Sequence, residues 1–117
     1  MNDLDIPILK RSYDLYRTFH DYRKAVSKQD RFTIYNRSEN LIIDVVELFL
    51  EAGYTKSCNK TAVLEKASVK LNVLRFLIRL MKESHVLDTK KYAALQTIID
   101  EIGRMLGGWI RSSNLAR

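Results

Sequence analysis

The side chains with the clearest chemical potential are two histidines and one cysteine, and they form no catalytic pattern. Helical proteins often bind two metal ions through glutamates and Glu-x-x-His pairs. The positions three residues before His20 and His85 carry Arg17 and Lys82, so we expect no metal site. Cys58 lies in a polar connection and is interpreted as an incidental thiol, although the sequence does not exclude a Cys–His pair.

A row of acids follows one side of a helical segment at Asp44, Glu47 and Glu51. This spacing is typical of a solvated face or of a row of ion pairs. The chain also lacks a glycine-rich loop ending in Lys-Ser or Lys-Thr, which would bind phosphates. We therefore predict no catalytic residue, no cofactor and no metal. A metal- or ligand-binding enzyme is the weakest alternative.

Basic side chains offer more chemistry, because 20 basic and 14 acidic residues give a net charge of +6. Basic rows on rigid helices can follow a phosphate backbone without reading bases. The alternative is an ordinary solvated surface whose Lys and Arg stems cover the edge of the core. The candidate nucleic-acid or partner-binding residues are Arg75, Arg79 and Lys82 on one flank of the third helix, Lys66 and Lys70 on its other flank, Arg104 and Arg111 on the fourth helix, and Arg17, Arg23 and Lys24 in the first segment.

The elements that carry these side chains are predicted to be helices. One proline and four glycines among 117 residues favour a few long helices over many short strands. We predict one all-α domain over residues 1–117, with helices at about 6–28, 30–52, 59–84 and 89–113. Asp30 and Asp88 are candidate N-caps, and Gly53 is expected to end the second helix in a left-handed turn.

Two apolar seams with alternating spacings of three and four residues lie on consecutive helices. Such seams, joined by a short connection, predict antiparallel neighbours that pack at about 20°. The expected architecture is an up-down-up-down antiparallel four-helix bundle. The seams are Leu64, Ala67, Leu71, Leu74, Ile78 and Met81 on the third helix, and Tyr92, Leu95, Ile99, Ile102, Leu106 and Trp109 on the fourth.

The second helix has an apolar surface wider than one core-facing stripe. Its surplus, with Ile43 and Leu50, needs another cover. Self-association into a homo-oligomer is a natural cover and would multiply the positive charge, whereas a groove for a different protein is the alternative.

Two glycines, Gly103 and Gly107, lie four residues apart on a helix face other than that of Trp109. Small residues at this spacing allow the backbone of another helix, in the same chain or another subunit, to approach closely. Local bending near a frayed helix end is the alternative. We predict a close packing site formed by these glycines beside Trp109.

Targeting features are absent from the sequence. The single cysteine forms no intrachain disulfide, the first residues have no apolar run typical of a signal peptide, and no uncharged apolar stretch reaches the length of a membrane span. The expectation is a cytoplasmic protein without a membrane partner.

Two stretches, 31–55 and 74–112, resemble the Avd proteins, the accessory variability determinants of diversity-generating retroelements. The segment DEIGRMLGGW is the most specific, and the resemblance extends over about residues 8–113. It implies a four-helix protomer in a basic homopentamer that binds nucleic acid, RNA and possibly DNA, and a reverse transcriptase. It also implies no enzymatic activity and a role in mutagenic cDNA synthesis.

Only a few individual residues can be matched to the family pattern. Arg75, Arg79 and Arg104 match arginines of the family pattern, and Arg37 matches as well but is also interpreted as a structural ion pair. Ser38 stands where the family often has an apolar residue. The wider group includes four-helix proteins encoded in intervening sequences of 23S ribosomal RNA genes. A structural oligomer of that group, with an RNA-binding or other role and no reverse transcriptase partner, is the alternative function.

Overall fold

Four long helices make up most of the protein in a computed structural model that describes residues 6–115. They are α1 (Pro7–Tyr22), α2 (Asn36–Tyr54), α3 (Ser57–Glu83) and α4 (Thr89–Leu115), and the described part contains no strand. The molecule measures 47 × 26 × 22 Å, since a helix of 27 residues is about 40 Å long. The ends of the predicted domain, 1–5 and 116–117, lie outside the described residues.

The link between α1 and α2 differs from the prediction. The first helix was expected to reach about residue 28, but α1 ends at Tyr22 and a 3-10 turn follows at Arg23–Ala25. The chain then becomes extended at Val26, which separates the two helices. One α-turn, Lys28–Asp30, and a π-helical turn, Arg31–Tyr35, lead into α2.

Helix ends confirm one predicted cap and correct two other expectations. The Asp88 carboxylate accepts the Lys91 backbone N–H at 2.7 Å, and this bond lowers the pKa of Asp88. Asp30 is not a cap, because its own N–H donates to the Ser27 hydroxyl at 3.3 Å. Gly53 lies within α2, and no glycine of the described part has a positive φ. Among the non-glycine residues of the described part, His85 is left-handed, with φ of 62°, and lies two positions beyond the last residue of α3.

The core follows the two predicted seams. Every seam residue of α3 is at most 2% exposed, and the middle of the α4 seam, from Leu95 to Leu106, is equally buried. Each fully buried Leu or Ile contributes about 1.5–3 kcal/mol through removal of its side chain from water. Tyr92 and Trp109, at the ends of the α4 seam, are half-buried against this core.

Each helix packs mainly against two others. Helix α1 contacts α2 and α4, and α3 contacts the same two helices from the other side. Near the beginning of α3, the Thr61 hydroxyl lies 3.0 Å from the Ser113 hydroxyl near the end of α4. Near the end of α3, the Lys82 ammonium lies 4.8 Å from the ring centroid of Tyr92, near the beginning of α4.

Two polar contacts hold the α1–α2 link against the core. The Tyr35 ring stacks on Phe19 with 4.0 Å between centroids, and its hydroxyl donates to the Phe19 carbonyl. Burial raises the pKa of Tyr35, so this hydroxyl stays protonated and remains a donor. The Arg31 Nε donates to the carbonyls of Arg23 at 3.2 Å and Val26 at 2.9 Å. These contacts satisfy backbone groups where regular helix is interrupted.

An ion pair joins α1 to α4. The Arg11 guanidinium donates to both oxygens of Glu101, from Nε at 2.7 Å and from Nη2 at 3.1 Å. The hydrogen bond from Arg11 lowers the pKa of Glu101, and the same bond raises the pKa of Arg11. This pair could not be predicted from the sequence, because 90 residues separate its members.

The Arg11–Glu101 pair predicts a pH-dependent contribution to stability. Because the pKa of Glu101 is lower in the folded protein than its usual 4.5, the contribution is full above that value and is lost as the pH falls through the folded pKa. We expect Glu101→Gln to lower the free energy of unfolding at neutral pH and this deficit to vanish in acid. Urea unfolding of both proteins over a pH series measures this difference in the free energy of unfolding.

The control for this prediction is Glu51→Gln, since Glu51 is exposed and makes no ion pair within residues 6–115. A deficit of Glu101→Gln that stays constant from neutral pH to well below 4.5 would contradict the assignment.

Candidate nucleic-acid interface

A polar cleft lies between α3 and α4 on the side of α3 that carries Arg75. Its volume is about 290 Å³. Two candidate binding residues, Arg75 from α3 and Arg104 from α4, meet in it. The other lining residues are Ser68, Leu71, Asn72, Asp100, Gly103 and Leu106. The cleft is therefore a place where two guanidinium groups from different helices can act on one ligand.

Arg75 is held at the cleft by three hydrogen-bonding groups. Its Nη2 lies 3.4 Å from an Asp100 carboxylate oxygen and donates to the Ile99 carbonyl at 3.4 Å. Its Nη1 donates to the Asn72 side chain at 3.2 Å. Its Nε is shielded from solvent and has no hydrogen-bond partner among the described residues. The guanidinium is thus positioned by the protein while one donor stays unused.

Gly103 makes room for the Arg75 side chain. A Cβ built at Gly103 would overlap the Nη2 atom of Arg75. The near neighbour is thus a side chain of the same protomer, and at Gly107 a Cβ would meet only Arg111 Nη1, at 3.5 Å. Close approach of another subunit to these glycines stays a prediction. Trp109, beside them in sequence, packs on Phe49 with 6.3 Å between ring centroids.

Two further candidates, Arg111 and Arg79, extend the basic character of this side. Arg104 and Arg111 are exposed on α4, seven residues and therefore two turns apart. Arg79 is 71% exposed and pairs with Glu83 at 3.1 Å, one turn further along α3. Exposed ion pairs of this kind contribute about 0–1 kcal/mol, so a phosphate can replace the carboxylate at little cost.

The remaining basic candidates lie elsewhere. Lys66 is exposed, and Lys70 points toward α2, where its ammonium lies 3.4 Å from Asp44. Arg17 and Arg23 lie over aromatic rings, with 5.8 Å to the Tyr13 centroid and 5.6 Å to the Phe32 centroid, respectively, and Lys24 is exposed. The candidate set is therefore divided over separate sides of one protomer.

The alternative interpretation of Arg37 as an ion pair is wrong for this protomer. Arg37 is exposed and pairs with no acid within residues 6–115, whereas neighbouring Glu39 lies 3.7 Å from His20 of α1. Ser38 is buried, and its hydroxyl donates to the Ile34 carbonyl at 2.8 Å, which satisfies this polar side chain inside the helix.

Two other kinds of site are absent from the part of the chain that the structure describes. Within residues 6–115, no three His, Cys, Asp or Glu side chains come together as metal ligands. No helix in the same range has both the length and the apolar character needed to cross a membrane.

The fold and the cleft define a small, basic, all-helical protein with outward-facing cations. A family model described as bAvd-like matches residues 6–113. The chain therefore belongs to the bAvd-like family, which confirms the resemblance predicted from its sequence. A comparison with curated proteins gave no match.

The contact between Gly103 and Arg75 predicts how alanine substitutions will affect stability. Replacement of a helical glycine by alanine stabilises a helix by about 1 kcal/mol. We expect Gly108→Ala to raise the free energy of unfolding by about this amount, since a Cβ there meets only Arg111 Nη2, at 3.8 Å. Gly103→Ala should gain less, because the new methyl group displaces Arg75.

Urea unfolding in the Arg75→Ala background provides the control, because the two glycine substitutions should then have equal effects. An equal gain from both substitutions while Arg75 is present would show that the contact has no energetic weight.

Proposed function

We propose that this protein is a non-enzymatic accessory protein of a diversity-generating retroelement. The observation that carries this proposal is its membership of the bAvd-like family over residues 6–113. Its partners are the retroelement reverse transcriptase and the template RNA, and its role is to support mutagenic cDNA synthesis. The proposed location is the cytoplasm.

The proposed assembly is a homopentamer of up-down-up-down antiparallel bundles. The antiparallel direction of α3 and α4 is supported by two contacts. Thr61, near the beginning of α3, contacts Ser113, near the end of α4. Lys82, near the end of α3, contacts Tyr92, near the beginning of α4. A homopentamer repeats the net charge of +6 in every subunit. Such a field attracts a polyanion over long distances and accelerates association.

The proposed contact with nucleic acid centres on the cleft between α3 and α4. Arg75 and Arg104 approach it from two helices, and planar guanidinium groups suit the oxygens of a phosphate. Phosphate contacts supply affinity and position without sequence information. Binding is therefore proposed to depend on salt and to show little base preference.

Removal of the two cleft arginines should weaken RNA binding. We expect Arg75→Gln combined with Arg104→Gln to reduce affinity for a structured RNA about tenfold or more at moderate salt. The slope of log affinity against log salt should flatten by about 0.7 to 0.9 for each lost phosphate contact. Filter binding or fluorescence anisotropy across a salt titration measures both effects.

The matched control is Lys28→Gln combined with Lys90→Gln. It removes the same charge from exposed positions outside the cleft. Equal losses in the two double variants would mean that the protein binds RNA through its general charge, against the proposed cleft.

The reverse transcriptase partner requires a separate experiment. We expect the protein to co-purify with the tagged polymerase of a retroelement and to increase cDNA synthesis from the template RNA. The comparison is polymerase alone, polymerase with the protein, and polymerase with the Arg75→Gln, Arg104→Gln variant. RNA binding without any effect on the polymerase would contradict the adaptor role and favour the intervening-sequence alternative.

A further inference from the structure

The outer face of α3 carries an apolar stripe that the core does not use. Its members are exposed by 63%, 40%, 69% and 40%, and their spacings of four, three and four repeat those of a helix-packing seam. Apolar side chains in such a continuous row, rather than scattered singly, indicate a contact surface. The α3 stripe consists of Val69, Val73, Phe76 and Leu80.

A groove of matching character lies between α1 and α2. Three side chains from each helix form its walls at helical spacing, and its volume is about 300 Å³. Ile43 is exposed and Leu50 is half-buried here, so the predicted surplus of the second helix lies in this groove. The α1–α2 groove is lined by Leu9, Tyr13 and Tyr16 of α1, by Ile43, Val46 and Leu50 of α2, and by Ser12 at its floor.

The charges beside the groove differ between its two rims. On the α1 rim, Lys10 and Arg17 lie over the Tyr13 ring, at 5.5 and 5.8 Å from its centroid. On the α2 rim, Glu47 lies one turn from both Ile43 and Leu50, is exposed and makes no ion pair within residues 6–115. Lys10 also pairs with Asp14 at 2.8 Å, so the exposed Arg17 makes the α1 rim basic, whereas Glu47 makes the α2 rim acidic.

The α3 stripe has the opposite arrangement. Glu65 lies four residues before Val69 on the flank toward α4, while Lys66 lies three residues before Val69 on the flank toward α2. Both are exposed, and neither makes an ion pair in the described part of the chain. Further along the α4 flank, the charge of Arg79 is balanced by Glu83 at 3.1 Å, so Glu65 and Lys66 distinguish the two flanks. An acid on one flank and a base on the other can match the two rims of the groove in a single orientation.

We propose that the α3 stripe of one copy packs into the α1–α2 groove of a second copy. In this orientation, Lys66 faces Glu47 of α2, and Glu65 faces the basic rim on α1. The contact joins two different surfaces, so it repeats from copy to copy and leaves no patch exposed when a ring closes. This inference rests on the oligomer proposed above and names the surfaces that form it.

A second copy fits the α3 stripe better than RNA does. Bases stack on aromatic side chains, and Phe76 is the only aromatic residue among the four of the α3 stripe. Val69, Val73 and Leu80 are aliphatic, and their spacing is suited to insertion between the two helices of a groove. Both halves of the contact are also present on every chain, with complementary charge.

Two single variants test the pairing by complementation. Phe76→Asp places a charge on the α3 stripe, and Ile43→Asp places one in the α1–α2 groove. Each variant alone should be monomeric in multi-angle light scattering. An equal mixture should form complexes of two chains and no larger species, because one intact stripe then meets one intact groove. Phe32→Asp, at an exposed aromatic outside both surfaces, should keep the wild-type mass.

Charge reversal provides a second readout. Lys66→Glu should weaken assembly, and addition of Glu47→Lys in the same chain should restore it, since the pair is re-formed with opposite signs. Circular dichroism and thermal unfolding of every variant check that the helices are intact, so a failure to fold is not mistaken for a failure to assemble.

Several results would overturn the inference. Ile43→Asp with wild-type mass would show that the groove is not used, and two monomeric variants that stay monomeric when mixed would exclude their pairing. Loss of RNA binding by Phe76→Asp at unchanged mass would assign the α3 stripe to RNA. RNA and polymerase binding are measured on the same samples, so loss of this pairing is distinguished from loss of the proposed function.

Discussion

The buried seam of α3 is the constraint on which the other surfaces depend. Once Leu64, Leu71 and Ile78 are committed to the core, the helical period determines the direction of every other α3 side chain. One flank brings Arg75 to Asp100 of α4, and the outermost face carries the α3 stripe. A shift in the register of this seam would bury charge and disrupt the arginine cleft and the stripe together.

This arrangement separates the candidate functions by face. The cleft between α3 and α4 presents guanidinium groups, whereas the α1–α2 groove presents apolar walls with charged rims. The separation matters because a polyanion and an apolar helix require opposite surroundings. Gly103 contributes by leaving space in which Arg75 can lie across α4 toward Asp100.

The α3 seam could be predicted from the sequence because its period is regular over three heptads, and the Asp88 cap because its signal is local. The predicted end of the first helix was wrong, because the 3-10 turn at Arg23–Ala25 contains no glycine or proline that would mark it in the sequence. The prediction that Gly53 ends the second helix in a left-handed turn was also wrong, because α2 continues to Tyr54.

Less of the candidate site could be predicted from the sequence. The basic residues could be identified, but the pairing of Arg75 with Asp100 and the meeting of Arg75 with Arg104 depend on how α3 and α4 pack. The α3 stripe is visible in the sequence as a second seam of Val69, Val73 and Leu80, but the sequence does not show that the core leaves it exposed. Periodicity shows that a face is apolar, whereas packing decides which apolar face stays exposed.

The proposed function requires that a basic oligomer of this chain binds RNA. The most direct measurement is native mass by light scattering, with and without a short structured RNA, at low and high salt. The account predicts a homopentamer that gains the mass of RNA at low salt and releases it at high salt. A monomer whose mass is unchanged by RNA at either salt concentration would contradict it.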